Sequence, residues 1–201
     1  MKKISYQGEL GAYSHLACKE AMTDYESVPC RTFEAALNCV REEKADLAMI
    51  PVENSVAGRV ADIHYLLGDY DLKIYAEHFQ EVKHQLLAKK GTTIDEIKFV
   101  RSHSMAIGQC QSAIQRLNLT PIVMADTAGS AKYISEIGTN EDSAIASHLA
   151  AEIYGLEILK SDIQDMKHNT TRFLIMSKGA QQERDKKLSY LTSCILSLIH
   201  I

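Results

Sequence analysis

The sequence lacks the paired cysteines of a zinc knuckle or a disulfide framework. Cys18, Cys30, Cys39, Cys110 and Cys194 are odd in number, scattered, and never in a CxxC pair, which points to a reducing compartment. Also missing are a GxGxxG turn, a Walker loop, an HExxH pair and a serine elbow, so neither a cofactor nor a metal is expected. With a formal net charge of −4 there is no basic footprint for nucleic acid, and a small anionic ligand would need a local positive site. The start, MKKISYQGEL, has two lysines but no apolar core of a signal peptide. The end, LTSCILSLIHI, is apolar but far shorter than a membrane span. No repeat or low-complexity segment interrupts the chain. A cytoplasmic protein with no membrane or nucleic-acid partner is the expectation.

What is present is ordinary for a globular chain: 46% hydrophobic and 24% charged residues over 201 positions, enough for one domain or two small lobes. Short apolar runs alternate with helical patterns, the α/β signature. Strands are expected at Lys3–Tyr6, Asp46–Val52, Phe99–Ser102, Ile122–Ala125, Ser143–Ser147, Leu156–Leu159 and Arg172–Ser177. The stretch Leu72–Leu87 reads as largely extended. Helices are expected from Tyr13, after a Thr32 cap, over Val60–Leu67, from Ser102 to about Leu117, after a Thr127 cap, and over HLAAEIYG. The charged run QQERDKK at 181–187 reads as a linker.

In open α/β sheets, ligands bind beyond the carboxyl ends of strands, at helix N-termini. GELGAYS, ENSVAG, SHS, DTAGS and SH follow successive strands here. Each supplies small hydroxyl residues, glycine or an amide at a helix start, a set of neutral donors suited to a small ligand with carboxylates. Taken singly, Thr127 and Ser147 are ordinary helix caps. The stretch HNTTRFLIM, 168–176, adds two hydroxyls and a permanent cation at the mouth of a core strand.

The order GELGAYSHLA (8–17), IPVENSVAGRV (50–60), RSHSMAIGQC (101–110), DTAGSA (126–131), AIAS with AAEIYGL (144–156) and NTTRF (169–173) resembles the catalytic domain of prephenate dehydratases over about Lys3 to Lys178. These enzymes make phenylpyruvate on the route to phenylalanine. The resemblance implies two α/β lobes related to type II periplasmic binding proteins, with the active site in the cleft between them. Lobe 1 would cover about 1–74 plus 161–180, and lobe 2 about 75–160. Prephenate would be the substrate, and a homodimer the assembly. Where the family has a serine-histidine-proline-glutamine run, this chain has Ser102-His103-Ser104-Met105. The family continues into an ACT domain that binds phenylalanine. Residues 181–201 would be a linker and a truncated remnant of it, and feedback inhibition through it is not expected of this chain.

The family assigns the general acid to the threonine of its Thr-Arg-Phe motif, Thr171 here. By the same resemblance Arg172 pairs with a substrate carboxylate through its planar fork. Phe173 and Asn169 position the motif. Alternation puts Thr170 on the opposite face from Thr171. Asn54 and Ser55 can donate to the ring hydroxyl or a carboxylate, and Gly58 lets backbone come close. Ser102, Gln109, Thr127 and Ser147 are the second lobe's contribution. His84 stands near an interlobe crossing, where the family tends to keep a histidine. His103 sits at a helix start. Asp126 and Glu53 are explained equally well by capping and ion pairing. Three rivals remain on sequence alone: arogenate, the amino analogue of prephenate, as substrate; a two-lobed carboxylate sensor without chemistry; or a truncated chain whose catalytic lobes fold but pair poorly.

Overall fold

In the computed structural model, which describes residues 1–179, the chain builds two β-sheets, each faced by helices. The linker and regulatory remnant expected over 181–201 lie outside the described residues. The elements run β1 (Lys3–Gln7), α1 (Tyr13–Ala21), β2 (Glu26–Cys30), α2 (Phe33–Arg41), β3 (Leu47–Asn54), β4 (Gly58–Arg59), α3 (Ala61–Asp69) and β5 (Lys73–Glu81). They continue with β6 (Gln85–Ala88), β7 (Phe99–Ser102), α4 (Ser104–Gln109), α5 (Gln111–Arg116), β8 (Thr120–Val123), α6 (Thr127–Glu136), β9 (Asp142–Ala146), α7 (His148–Tyr154), β10 (Glu157–Lys160) and β11 (Thr170–Ser177).

The first sheet has the order β2-β1-β3-β11-β5, with β4 added against β3. Its central strands are buried on both faces, which explains their near-continuous apolar sequence. Ala48, Ile50, Val52, Leu174 and Met176 pack against Leu37 and Val40 of α2. The alternate set, Leu47, Met49, Phe173 and Ile175, meets Ala17 and Cys18 of α1 on the other side. Phe173 is fully buried there. The second sheet, β10-β6-β9-β7-β8, is built the same way. Leu86, Val100 and Ile145 face α4 and α5, and Leu87, Ala144 and Ala146 face α6 and α7.

Several elements differ from the sequence reading for local reasons. The expected single helix after Ser102 is two short ones, broken at Cys110. The strand at β2 escapes a periodicity search because it is an edge strand carrying Pro29. The cap of α6 is Asp126, whose Oδ1 accepts from Gly129 N at 2.6 Å, and not Thr127. The changeover between lobes, expected near Tyr75, falls after Glu81, because β5 pairs with β11 along its whole length.

The chain crosses at 82–84 and returns at 161–169, and the two crossings are bonded to each other. Val82 N donates to Asn169 O at 2.7 Å, and Ile163 N to His84 O at 2.9 Å; His84 N donates to Gln164 Oε1 at 2.9 Å. A second clasp joins the lobes away from the crossings. Ser147 Oγ donates to Gly11 O at 2.6 Å, and Tyr154 Oη to Leu10 O at 2.9 Å.

Candidate active site

The loops after β1, β3, β7 and β8, the first crossing and the start of β11 surround one cleft of about 290 Å³, near the low end of the ~300–1,000 Å³ typical of ligand sites. The first lobe contributes Gln7, Gly8, Ala12, Tyr13 and Ser14, then Asn54, Ala57 and Val60, and Thr171; Val82 and His84 come from the crossing. His103, Met105, Ala106, Gln109, Asp126 and Thr127 face them from the second lobe. No lysine or arginine stands among the described residues that line it.

At its centre is a chain of amides. Asn54 Oδ1 accepts from the backbone N–H groups of Val56 (3.0 Å) and Ala57 (2.7 Å). Asn54 Nδ2 donates to Asn169 Oδ1 at 2.7 Å and to Thr171 Oγ1 at 3.0 Å. Asn169 Nδ2 donates across the cleft to Gln109 Oε1 at 2.9 Å. His84 Nε2 lies 2.8 Å from the same Oε1, and His84 Nδ1 lies 2.8 Å from Tyr13 Oη. The consequence is chemical. Because Thr171 Oγ1 is already an acceptor, its own O–H is left to donate, and the Gln109 amino group has no acceptor among the described residues. Two neutral donors therefore face the cleft from opposite lobes.

Other expected site residues are committed elsewhere. Arg172 follows Thr171 by one residue, so the pleat sends it to the opposite face. Its guanidinium pairs with Glu77 there, Nη2 to Oε1 at 2.9 Å and Nε to Oε2 at 3.3 Å, and it does not line the cleft. In place of the substrate carboxylate expected from the resemblance, the guanidinium holds the carboxylate of Glu77. Ser102 is fully buried and donates to Ile145 O at 2.7 Å within the second sheet. Ser147 caps α7 through Ala150 N and forms the Gly11 clasp. Ser55 Oγ donates to His168 O and accepts from Thr170 N, tying two loops together. Gly58 supplies the left-handed backbone (φ +81°) of the β3–β4 turn and is not among the lining residues. Thr127, Asn54, Gln109, His84 and Thr171 do line the cleft, and Asn169 bridges it. Tyr13 and Gln7 are lining residues that the motif search passed over. Tyr13 is hidden in sequence because its partner, His84, is 71 positions away.

Because Glu77 is almost fully buried, Arg172→Ala strands a carboxylate. A stability loss of about 3 kcal/mol is expected, with partial recovery in Arg172→Ala/Glu77→Gln, measured by urea unfolding. A raised KM with unchanged stability would instead return Arg172 to the ligand.

Burial is the main cause that lowers the pKa of both His84 and His15. For His84 the Gln109 hydrogen bond opposes it, and for His15 the charge of Lys19 adds to it. In the unfolded chain each histidine takes up a proton near pH 6.5, while in the folded protein it resists doing so. Stability is therefore full above that value and falls as pH drops below it, by up to about 1.4 kcal/mol per pH unit and per histidine. Thermal unfolding at pH 7.5 and 5.5 should show the lower midpoint at pH 5.5, and His84→Gln should flatten the difference.

With the geometry in place, comparison with known proteins adds the following. A prephenate dehydratase family profile matches residues 4–181. A bifunctional N-acyl-homoserine lactone acylase/prephenate dehydratase of Komagataeibacter europaeus is 47% identical over 175 residues, 87% of this chain and 62% of that one. A chloroplastic arogenate dehydratase/prephenate dehydratase of Arabidopsis thaliana is 38% identical over 196 residues, 98% of this chain and 51% of that one. The chain thus spans about half of the length of the curated relatives it matches. Among solved structures, the prephenate dehydratase of Arthrobacter aurescens in complex with L-Phe superposes with a TM-score of 0.83 at 30% identity, covering 91% of this chain and 63% of that one. A quorum-quenching acylase superposes with a TM-score of 0.85 at 44% identity, covering 92% of this chain and 67% of that one.

Proposed function

Because the chain belongs to the prephenate dehydratase family, we propose that it converts prephenate to phenylpyruvate, with loss of carbon dioxide and water. The carrying observation is Thr171, whose Oγ1 is held by Asn54 Nδ2 at 3.0 Å while its proton is free to enter the cleft. Losing the ring carboxylate leaves an electron pair that aromatises the ring and expels the ring hydroxyl. Hydroxide is a poor leaving group, so the Thr171 proton moves to it and it departs as water. The Asn54 hydrogen bond steadies the charge that develops on Oγ1, and solvent restores the proton. Arrangements of this kind are worth about 10²–10⁴-fold.

Among the described residues no lysine or arginine lines the cleft, which suits this chemistry. A cation paired with the departing carboxylate would stabilise the ground state, whose charge is lost on the way to the transition state. The carboxylates are instead received by neutral donors. Gln109 Nε2 and the Thr127 hydroxyl serve from the second lobe. The start of α1, which has no side-chain cap, offers its free N–H groups from the first.

Arogenate is the second reading, supported by plant relatives named as arogenate dehydratases at 38–41% identity. The acylase named for the Komagataeibacter relative has less support in this cleft. Among the described residues no serine or cysteine side chain is hydrogen-bonded to a histidine imidazole, the pairing that activates a nucleophile. Residence in a reducing, cytoplasmic compartment and assembly as a homodimer belong to the same proposal, the first supported by free thiols at Cys18, Cys30, Cys39 and Cys110. No described helix is long and apolar enough to cross a membrane.

The test is turnover of prephenate, arogenate and an N-acyl-homoserine lactone by the purified chain. Formation of phenylpyruvate supports the proposal, and faster conversion of arogenate moves it to the second reading. Recovery of all three unchanged, from protein that binds prephenate, leaves a sensor.

A further inference from the structure

We propose that Tyr13 is a positioning residue. Its phenolic proton seats on the bare ring nitrogen of His84 and so holds that ring against the Gln109 amide, whose amino group is presented to the cleft. The effect on turnover rests on the dehydratase reading above; the hydrogen-bond assignment does not.

The assignment starts from two groups that cannot be turned round. The backbone N–H groups of Val56 and Ala57 point at Asn54, at 3.0 and 2.7 Å, and this decides which side of that amide is oxygen. The other side is then Nδ2, a donor, and the Asn169 atom 2.7 Å from it must be Oδ1. Asn169 therefore presents Nδ2 to Gln109, and the Gln109 atom 2.9 Å away must be Oε1. An amide oxygen carries no hydrogen. His84 Nε2, 2.8 Å from that same oxygen, must carry one. Burial disfavours the charged imidazole, so Nδ1 is bare and needs a donor. The Tyr13 hydroxyl, 2.8 Å from Nδ1, supplies it. The carbonyl of Lys83, 3.0 Å from the same hydroxyl, is the competing acceptor.

Orientation thus runs in one direction, from a backbone turn in the first lobe, across the cleft to Gln109, and back to α1. Each link has one solution because the link before it is set. Remove the Tyr13 hydroxyl and the bare Nδ1 is left buried with no donor among the described residues. Asn169 still decides which side of the Gln109 amide is oxygen. The imidazole, however, is no longer held at both ends, so the amide loses its second support and its amino group is less firmly placed in the cleft. A phenyl ring at position 13 keeps the shape and loses only the hydroxyl.

Two measurements on the full chain decide the matter. Nitrogen-15 NMR of the histidine side chains reads the tautomer directly. The wild type should show His84 neutral with its proton on Nε2, and Tyr13→Phe should keep that tautomer with the Nδ1 resonance shifted by the loss of its hydrogen bond. Kinetics with prephenate then supply a double-mutant cycle with Gln109→Ala. Tyr13→Phe should lower kcat/KM about tenfold in the wild-type background, the loss of one placed hydrogen bond. It should cost less than about twofold more once Gln109 is already alanine. A wild-type spectrum with the proton on Nδ1 overturns the proposal whether or not any variant folds. Equal effects of Tyr13→Phe in both backgrounds overturn it too, since Tyr13 would then act independently of Gln109. If the wild type turns over neither prephenate nor arogenate, the dehydratase reading fails on its own, and the spectra still decide the Tyr13–His84 link.

Discussion

Thr171→Ala is expected to lower kcat for prephenate by at least about 10²-fold, the low end of what a positioned acid contributes. KM and the unfolding midpoint should change little. The methyl and hydroxyl lost are half-buried at a strand end, and the strand's packing begins at Phe173. Thr171→Ser is the informative companion. It keeps a hydroxyl that can accept from Asn54 and donate to the leaving group, so it should recover much of the rate. Its freer rotamers account for the remainder. If Thr171→Ala works as well as wild type, the acid lies elsewhere, with the hydroxyls of Ser14 and Thr127 among the remaining candidates that line the cleft. Asn54→Ala should resemble Thr171→Ala in rate but also lose stability, because it releases the Val56–Ala57 turn and Asn169 at once.

Much of this cleft could be read before any coordinates. The rule that ligands gather beyond strand ends selected five loops, those after β1, β3, β7, β8 and β9, and the first four line it while the last does not. What the rule could not do is separate hydroxyls that face the ligand from those committed to the fold. Ser102, at the end of β7, turns into its own sheet toward Ile145, and Ser147 turns toward Gly11. Thr127, in an equivalent place, is open to the cleft. The difference depends on which face of the sheet each strand end presents, and no local pattern carries that. Arg172 is the instructive case, since the period of two already placed it opposite Thr171, and its cation suggested a ligand that the Glu77 carboxylate replaces. The lobe boundary moved because β5 alternates imperfectly, with Phe79 exposed on an edge strand. Such a strand is assigned to a sheet by its partner, β11, which lies some 90 residues further along.

A large effect on stability is also expected at Gly11. A Cβ there would lie 2.7 Å from Ala150 Cα and 2.9 Å from Ala150 Cβ, on backbone with φ +86°. Neither neighbour is a flexible side-chain end, so relief requires the loop to part from α7. Gly11→Ala should therefore cost about 3 kcal/mol, combining overpacking with a left-handed conformation imposed on alanine. It should also weaken the Ser147–Gly11 clasp between the lobes. Gly58→Ala is the control. Its φ is +81°, but nothing lies within 4 Å of the added carbon, so only the conformational cost of about 1 kcal/mol remains. Urea unfolding of the two variants side by side separates crowding from strain. Equal losses would mean that Ala150 gives way and that the lobes are held together elsewhere.

The strand order has a consequence for how the chain matures. All five strands of the second sheet lie between residues 85 and 160, so that lobe is complete in a single continuous segment. The first sheet is not, because β11 sits between β3 and β5 and is made after everything it pairs with. Emerging from the ribosome, β3 and β5 wait as open edges, the state in which sheets are prone to wrong partners. The inserted lobe can form during this wait and bring residue 161 back toward the crossing at 82–84. Thr171 then enters with the closing strand, so the cleft gains its proposed acid at the moment the fold becomes whole.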